Sequence, residues 1–248
     1  MNERRPWTRE ELLLAINLYV KIPFGKIHNK NPDIIYLAEI IDRTPSSISY
    51  KLANFASLDP SLHQKGASHT SSLDKAVWEE FFSDWDKLLY ESEQLLESKA
   101  TQTTDIYLEV PENEITEKQK LSIVRTKQGL FRKAVLSSFD NKCCLTGMNI
   151  PDLLVASHIV PWSVDRKNRL NPSNGLCLNA FHDKAFDKGY ITLLEDFSVK
   201  VSSAVREGKN ETEKAWLLDF EGRKILLPKR FLPSGEFLEY HRKEVFIG

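Results

Sequence analysis

Two short apolar runs, Leu153–Val160 and the one ending Gly175-Leu176-Cys177-Leu178, flank a loop that opens at Pro161-Trp162 and closes at Asn171-Pro172-Ser173-Asn174. The second run leads straight into Phe181-His182-Asp183-Lys184-Ala185-Phe186-Asp187-Lys188-Gly189. Neither run is long enough for a buried helix, so each reads as a strand, and the segment behind them reads as the start of a helix. The order is therefore a strand ending in His158, a loop holding Asn174, a second strand, and a helix start bearing His182 and Asp183. Asn174 lies sixteen positions after His158, and His182 eight after Asn174. A hairpin closed by a helix makes this part of the chain α+β.

The first 97 residues carry helix signals. Thr8 followed by Glu11 is a capping box, and Leu12, Leu13, Ile16, Tyr19 and Val20 recur at helical spacing. Pro23 and Gly25 stop that helix. A second helix is predicted over 32–41, with Ile34, Leu37, Ala38 and Ile41 on its apolar face. Thr44 caps a third, with Pro45 at its first position. Ile48, Leu52 and Phe55 form its buried stripe, which leaves Ser46, Ser47, Ser49, Tyr50, Lys51 and Asn54 outward. The pair resembles a helix-turn-helix, whose second helix would enter the major groove with Ser46, Ser47, Tyr50, Lys51 and Asn54 on bases or phosphates. Any three-helix core produces the same pattern, so this contact is an expectation only.

One acidic helix is predicted from Leu73 to about Glu97, its Trp78, Phe81, Phe82 and Trp85 packed on the first three. The polar stretch 98–117 reads as a linker. A basic helix follows from about Glu117 to Phe139, with Arg125, Lys127, Arg132 and Lys133 around an apolar set that includes Val124, Leu130 and Val135. These four either contact phosphate or form an ordinary solvated face. The domains expected are thus 1–97, helical and DNA-reading, and 118–248, joined by 98–117.

Net charge is −1, which excludes a uniformly basic nucleic-acid-coating protein. The balance is not uniform. Residues 71–98 hold two Lys/Arg against eight Asp/Glu, and 118–190 hold twelve against five. A basic segment follows an acidic bridge, so a localised nucleic-acid footprint is expected on the former. No apolar stretch suits a membrane span, and the charged N-terminus is not a secretory signal. Three cysteines, Cys143, Cys144 and Cys177, make no disulfide framework and fit a reducing cytoplasm.

Residues 156–162 (ASHIVPW), 171–179 (NPSNGLCLN) and 182–189 (HDKAFDKG) together resemble the HNH endonucleases of the ββα-metal superfamily. The resemblance implies metal-dependent phosphodiester hydrolysis on a C-terminal ββα-metal domain fused to a helical N-terminal one. It implies His158 as general base, Asn174 as the residue pinning the loop, and His182 as ligand to one divalent cation, Mg²⁺ or Mn²⁺. Many such sites place a carboxylate or histidine before the first histidine. Here it is Ser157, a poor ligand, so Asp183 or Asp187 is expected to assist. Many also carry two CxxC pairs for zinc. Cys144 is followed at that spacing by Gly147 and Cys177 by Ala180, so no structural zinc is expected.

The leading expectation is a DNA endonuclease of restriction or phage defence acting on double-stranded DNA, with a homodimer supplying a second site for double-strand cleavage. The alternatives are a non-catalytic DNA-binding regulator with a degenerate HNH fold, favoured by Ser157, and a zinc module for protein contact.

Overall fold

In the computed structural model, residues 5–60, 62, 69–101, 117–208 and 210–248 are described. They divide into two compact units, Met1–Lys133 and Ala134–Gly248. The first is helical, the second α+β.

In the first unit α1 (Arg9–Lys21) begins at the predicted capping box. Thr8 Oγ1 accepts from Glu11 N, and Glu11 Oε2 accepts from Thr8 N at 3.0 Å. Leu12 through Asn17, Tyr19 and Val20 are all buried, so α1 is apolar on nearly every side and forms the centre of this unit. Around it pack α2 (Pro32–Ile40), α3 (Pro45–Leu58), α4 (Ser72–Ser83) and α5 (Trp85–Thr101). Trp78 meets Tyr19 edge-on at 5.6 Å and stacks on Phe55 at 5.8 Å, so the aromatics do pack on the first helices.

The single acidic helix expected from Leu73 to Glu97 is instead two. Asp84 leaves helical geometry, and its Oδ1 accepts from Lys87 N at 3.1 Å, so it ends α4 and caps α5. The break lets Trp85 bury independently of Trp78. Most of the expected linker 98–117 falls on 102–116, outside the described residues. Positions 98–101 continue α5, and Glu117 opens α6 (Glu117–Ser138), within which the division into units falls.

In the second unit β1 (Leu154–His158) pairs antiparallel with β2 (Gly175–Asn179), Ser157 opposite Leu176 and His158 opposite Gly175. α7 (Ala180–Asp187) follows β2 without a loop because Asn179 is both its last residue and the N-cap, accepting from His182 N at 2.9 Å. The helix packs back on both strands. A second hairpin, β3 (Ile191–Leu193) with β4 (Val199–Val201), precedes α8 (Ser203–Arg206), α9 (Glu211–Leu218) and α10 (Gly235–Tyr240). Gly189, which joins α7 to β3, has φ +74°, and a Cβ there would lie 2.1 Å from the Val245 carbonyl oxygen. Only glycine lets the C-terminal segment close over this turn.

That segment contributes His241, 1% exposed, stacked on Phe186 at 3.7 Å. Its Nε2 donates to the Phe186 carbonyl at 3.1 Å, and its Nδ1 accepts from Thr192 Oγ1 at 2.9 Å. Burial, reinforced by Arg242 and opposed by the Phe186 carbonyl, lowers its pKa to about 4. The folded value lies below the unfolded one, so the contribution to stability is complete above about pH 6.5. It is lost as pH falls toward about 4, by about 3 kcal/mol in total. Urea unfolding at pH 7 and pH 4.5 (about two units of the window) is expected to show a smaller acid loss in His241→Gln than in wild type. Equal losses would remove His241 from the acid response.

Candidate active site

His158 ends β1, half-buried, and its Nε2 contacts the Arg169 carbonyl at 2.9 Å. A carbonyl only accepts, so Nε2 carries the hydrogen and the neutral ring keeps its lone pair on Nδ1, the nitrogen able to take a proton. Burial lowers the His158 pKa, with Arg169 adding to the effect, while the Arg169 carbonyl and Asp187 oppose it. The net direction keeps the ring neutral near pH 7. Trp162 stands edge-on to this ring at 5.5 Å and lies under the Arg169 guanidinium at 5.1 Å, and Arg169 Nε donates to the Trp162 carbonyl at 2.8 Å. The loop residues Trp162 and Arg169 thus both contact the histidine ring.

Asn174 is fully buried and does what a central pin must do. Its Oδ1 accepts from Val160 N at 2.8 Å, and its Nδ2 donates to the carbonyls of Val160 at 3.2 Å and Asn168 at 3.3 Å. Ile159 N donates to the Asn174 carbonyl at 3.0 Å. Asn168 is itself fixed by Asp165 and Asn171. The loop that presents Arg169 to His158 is therefore cross-linked from its interior outward.

Ser157 is 2% exposed, and its Oγ makes no hydrogen bond of good geometry. It lies near Asp183 on α7. Burial raises the Asp183 pKa and Asp187 adds to the rise, while Ser157 and Lys184 oppose it. Asp183 and Asp187 are four residues apart and so share a helix face. Ser157, His158, Asp183 and Asp187 thus form one neighbourhood, with an orphaned hydroxyl and two mutually repelling carboxylates. The oxygens of Ser157, Asp183 and Asp187 are of the hard type that Mg²⁺ takes, with water and phosphate completing its coordination. Among the described residues no group of three or more His, Cys, Asp or Glu side chains is arranged to hold a metal.

His182, expected as the metal ligand, occupies a different neighbourhood. It is 4% exposed, its Nε2 approaches the Trp216 carbonyl at 3.4 Å, and its ring meets Phe220 edge-on at 4.9 Å. Cys143 lies beside it. Burial raises the Cys143 pKa, but the nearby His182 and Thr146 side chains and the Thr146 and Leu145 backbone more than offset this, bringing it to about 7. His182 Nδ1 itself has no hydrogen bond of good geometry. Consecutive residues on a helix point about 100° apart, and the Asn179 cap sets the phase that turns Asp183 toward Ser157 and His182 toward Cys143. Cys143, Cys144 and Cys177 are all fully buried, and burial pushes the Cys144 thiol up.

The residues expected on DNA divide in the same manner. Ser46 and Tyr50 are exposed on α3 and Ser47 is half-buried. Lys51 and Asn54 are buried, which corrects their outward assignment. Lys51 Nζ donates to both Asp74 oxygens, at 2.8 and 2.9 Å. Lys51 stands three residues after Ile48 and four before Phe55, on the buried stripe itself, and that spacing was the signal for it. On α6, Arg125 and Lys133 are exposed and Arg132 is half-buried, whereas Lys127 is paired with Asp86 and lies over the Tyr90 ring at 5.5 Å. Val124, expected in the core, is exposed.

No helix among the described residues is long and apolar enough to cross a membrane. No curated protein matches the chain. Residues 143–194 match the HNH endonuclease family model, a span that holds β1, β2, the pinned loop, α7 and β3, and the chain therefore carries an HNH endonuclease domain in its C-terminal part behind a helical N-terminal region.

Proposed function

We propose that the protein is a metal-dependent DNA endonuclease of restriction or phage defence, reading double-stranded DNA with residues 1–97 and cutting it with residues 118–248. The observation that carries this reading is His158, a strand-end imidazole kept neutral by burial, whose tautomer leaves Nδ1 to accept a proton. In the reaction His158 Nδ1 takes the proton of the attacking water, while Asn174 and Arg169 hold the ring in place. Asp183 and Asp187, with Ser157, would hold one Mg²⁺ or Mn²⁺. When bound, that cation supplies charge neutralisation at the phosphate and at the departing sugar oxygen. Ser46, Ser47 and Tyr50 on α3 and Arg125, Arg132 and Lys133 on α6 are the proposed DNA-contacting residues. A homodimer would bring two sites to opposite strands.

The test is incubation of modified and unmodified plasmid with Mg²⁺, Mn²⁺ or EDTA. Nicked or linear DNA is expected with the metals alone, and Asp183→Ala is expected to lower that cleavage by at least about 10-fold. DNA that is bound but intact under every metal condition would instead establish the second reading, a DNA-binding regulator with a degenerate site. The observation favouring that reading is Ser157 at the position before the catalytic histidine.

A further inference from the structure

We propose that Phe181 and Trp216, with the lysines beside them, form a site for an unstacked nucleotide of the substrate strand. The proposal rests on the nuclease reading for its choice of ligand. Two cavities of about 470 and 490 Å³ share these two side chains as lining. Phe181 is 44% and Trp216 55% exposed, large aromatic areas that a chain leaves in water only at a cost. Their rings stand at 90° with centroids 5.4 Å apart, so a planar ring entering either cavity meets the face of one and the edge of the other.

The two cavities differ in charge. The first is completed by His182, Phe220, Asp219 and Arg223, with Arg223 over the Phe220 ring at 5.7 Å. His182 supplies its buried polar group, and the Nδ1 atom of that ring has no hydrogen bond of good geometry. The second carries Lys184, Lys188 and Lys214, with no carboxylate in its lining. Lys214 is tied to Glu211 at 2.9 Å, while Lys184 and Lys188 have no ion pair among the described residues. Stacking faces next to unpaired ammonium groups are what a nucleotide requires, base on the rings and phosphate on the lysines. Aromatic faces reach a base only when it has left the duplex stack, so the ligand is an unstacked nucleotide and not intact duplex.

The experiment uses the full chain in EDTA and a fluorescent oligothymidylate of about ten nucleotides, read by anisotropy across a salt series. Phe181→Ala and Trp216→Ala are each expected to weaken binding by about 10-fold or more, and Trp216→Phe by far less. The Lys184→Ala/Lys188→Ala double variant is expected to reduce the slope of log affinity against log salt by about 1.4. Both rings and both lysines are exposed, so unchanged melting temperatures should accompany these losses. Wild-type affinity in both aromatic alanine variants, or an unchanged salt slope in the lysine variant, overturns the proposal. Because binding is read without metal, a protein that binds the strand through these residues but cuts nothing overturns the nuclease reading and leaves this site standing. One that cuts DNA while both aromatic variants bind as wild type does the reverse.

Discussion

Replacing His158 with alanine is expected to lower DNA cleavage by about 10²- to 10⁴-fold while leaving DNA binding within a few-fold of wild type. The imidazole ends β1 with Nε2 donating to the Arg169 carbonyl, so its contribution lies in the proton accepted at Nδ1 and not in gripping the strand. Its removal leaves the Asn174 network intact, because none of the Asn174 hydrogen bonds involves the histidine. Single-turnover cleavage of a plasmid at saturating protein, paired with an anisotropy measurement of binding, separates the two quantities. His158→Ala cutting at the wild-type rate would sink the assignment of the base. Asn174→Ala makes the informative contrast. It should also lose activity, but with a lower melting temperature, because it strips Val160 N–H of its acceptor in the interior.

Asp74→Ala is expected to destabilise the protein by about 3–5 kcal/mol, the largest loss foreseen for a residue outside the nuclease domain. Asp74 is fully buried and meets Lys51 Nζ with both oxygens, at 2.8 and 2.9 Å. Its removal leaves an ammonium group sealed in an apolar interior with no counter-charge. The same carboxylate accepts from Ser71 N at 2.8 Å, so the first turn of α4 loses its cap as well. Urea unfolding at neutral pH measures the loss. Lys51→Met/Asp74→Leu, which removes both charges together and keeps the volume, should recover most of it. A change below about 1 kcal/mol in Asp74→Ala, accompanied by weaker DNA binding in Lys51→Ala, would return Lys51 to the DNA-facing surface.

The Lys51 case shows where chemical type misleads. A lysine is almost never fully buried without a partner, so chemical type argued for the surface although the i, i+3 step from Ile48 argued for the core. The partner lies twenty-three residues away on another helix, and no local rule pairs the two. Asp84 is similar. The aromatic spacing from Val77 to Leu89 continues smoothly through it, and only the packing of Trp85 as well as Trp78 favours the break. By contrast, the Thr8–Glu11 box and the Thr44–Pro45 helix start were legible, because each is satisfied within one turn of its own helix.

The role of Asn174 as a pin was implied by the family resemblance, whereas the amino-acid order alone determined the strand, loop, strand and helix of the nuclease domain and the strand-end placement of His158. These depend on short-range alternation and on turn chemistry that neighbouring residues settle among themselves. Only the tertiary structure decided that Asp183 and not His182 stands toward Ser157, that His182 pairs with Cys143, and that Phe181 and Trp216 meet across two cavities. Each of those outcomes turns on the phase of α7 as it packs against the hairpin and on segments distant in sequence. A rotation of about 100° between consecutive helix residues is enough to exchange one for another.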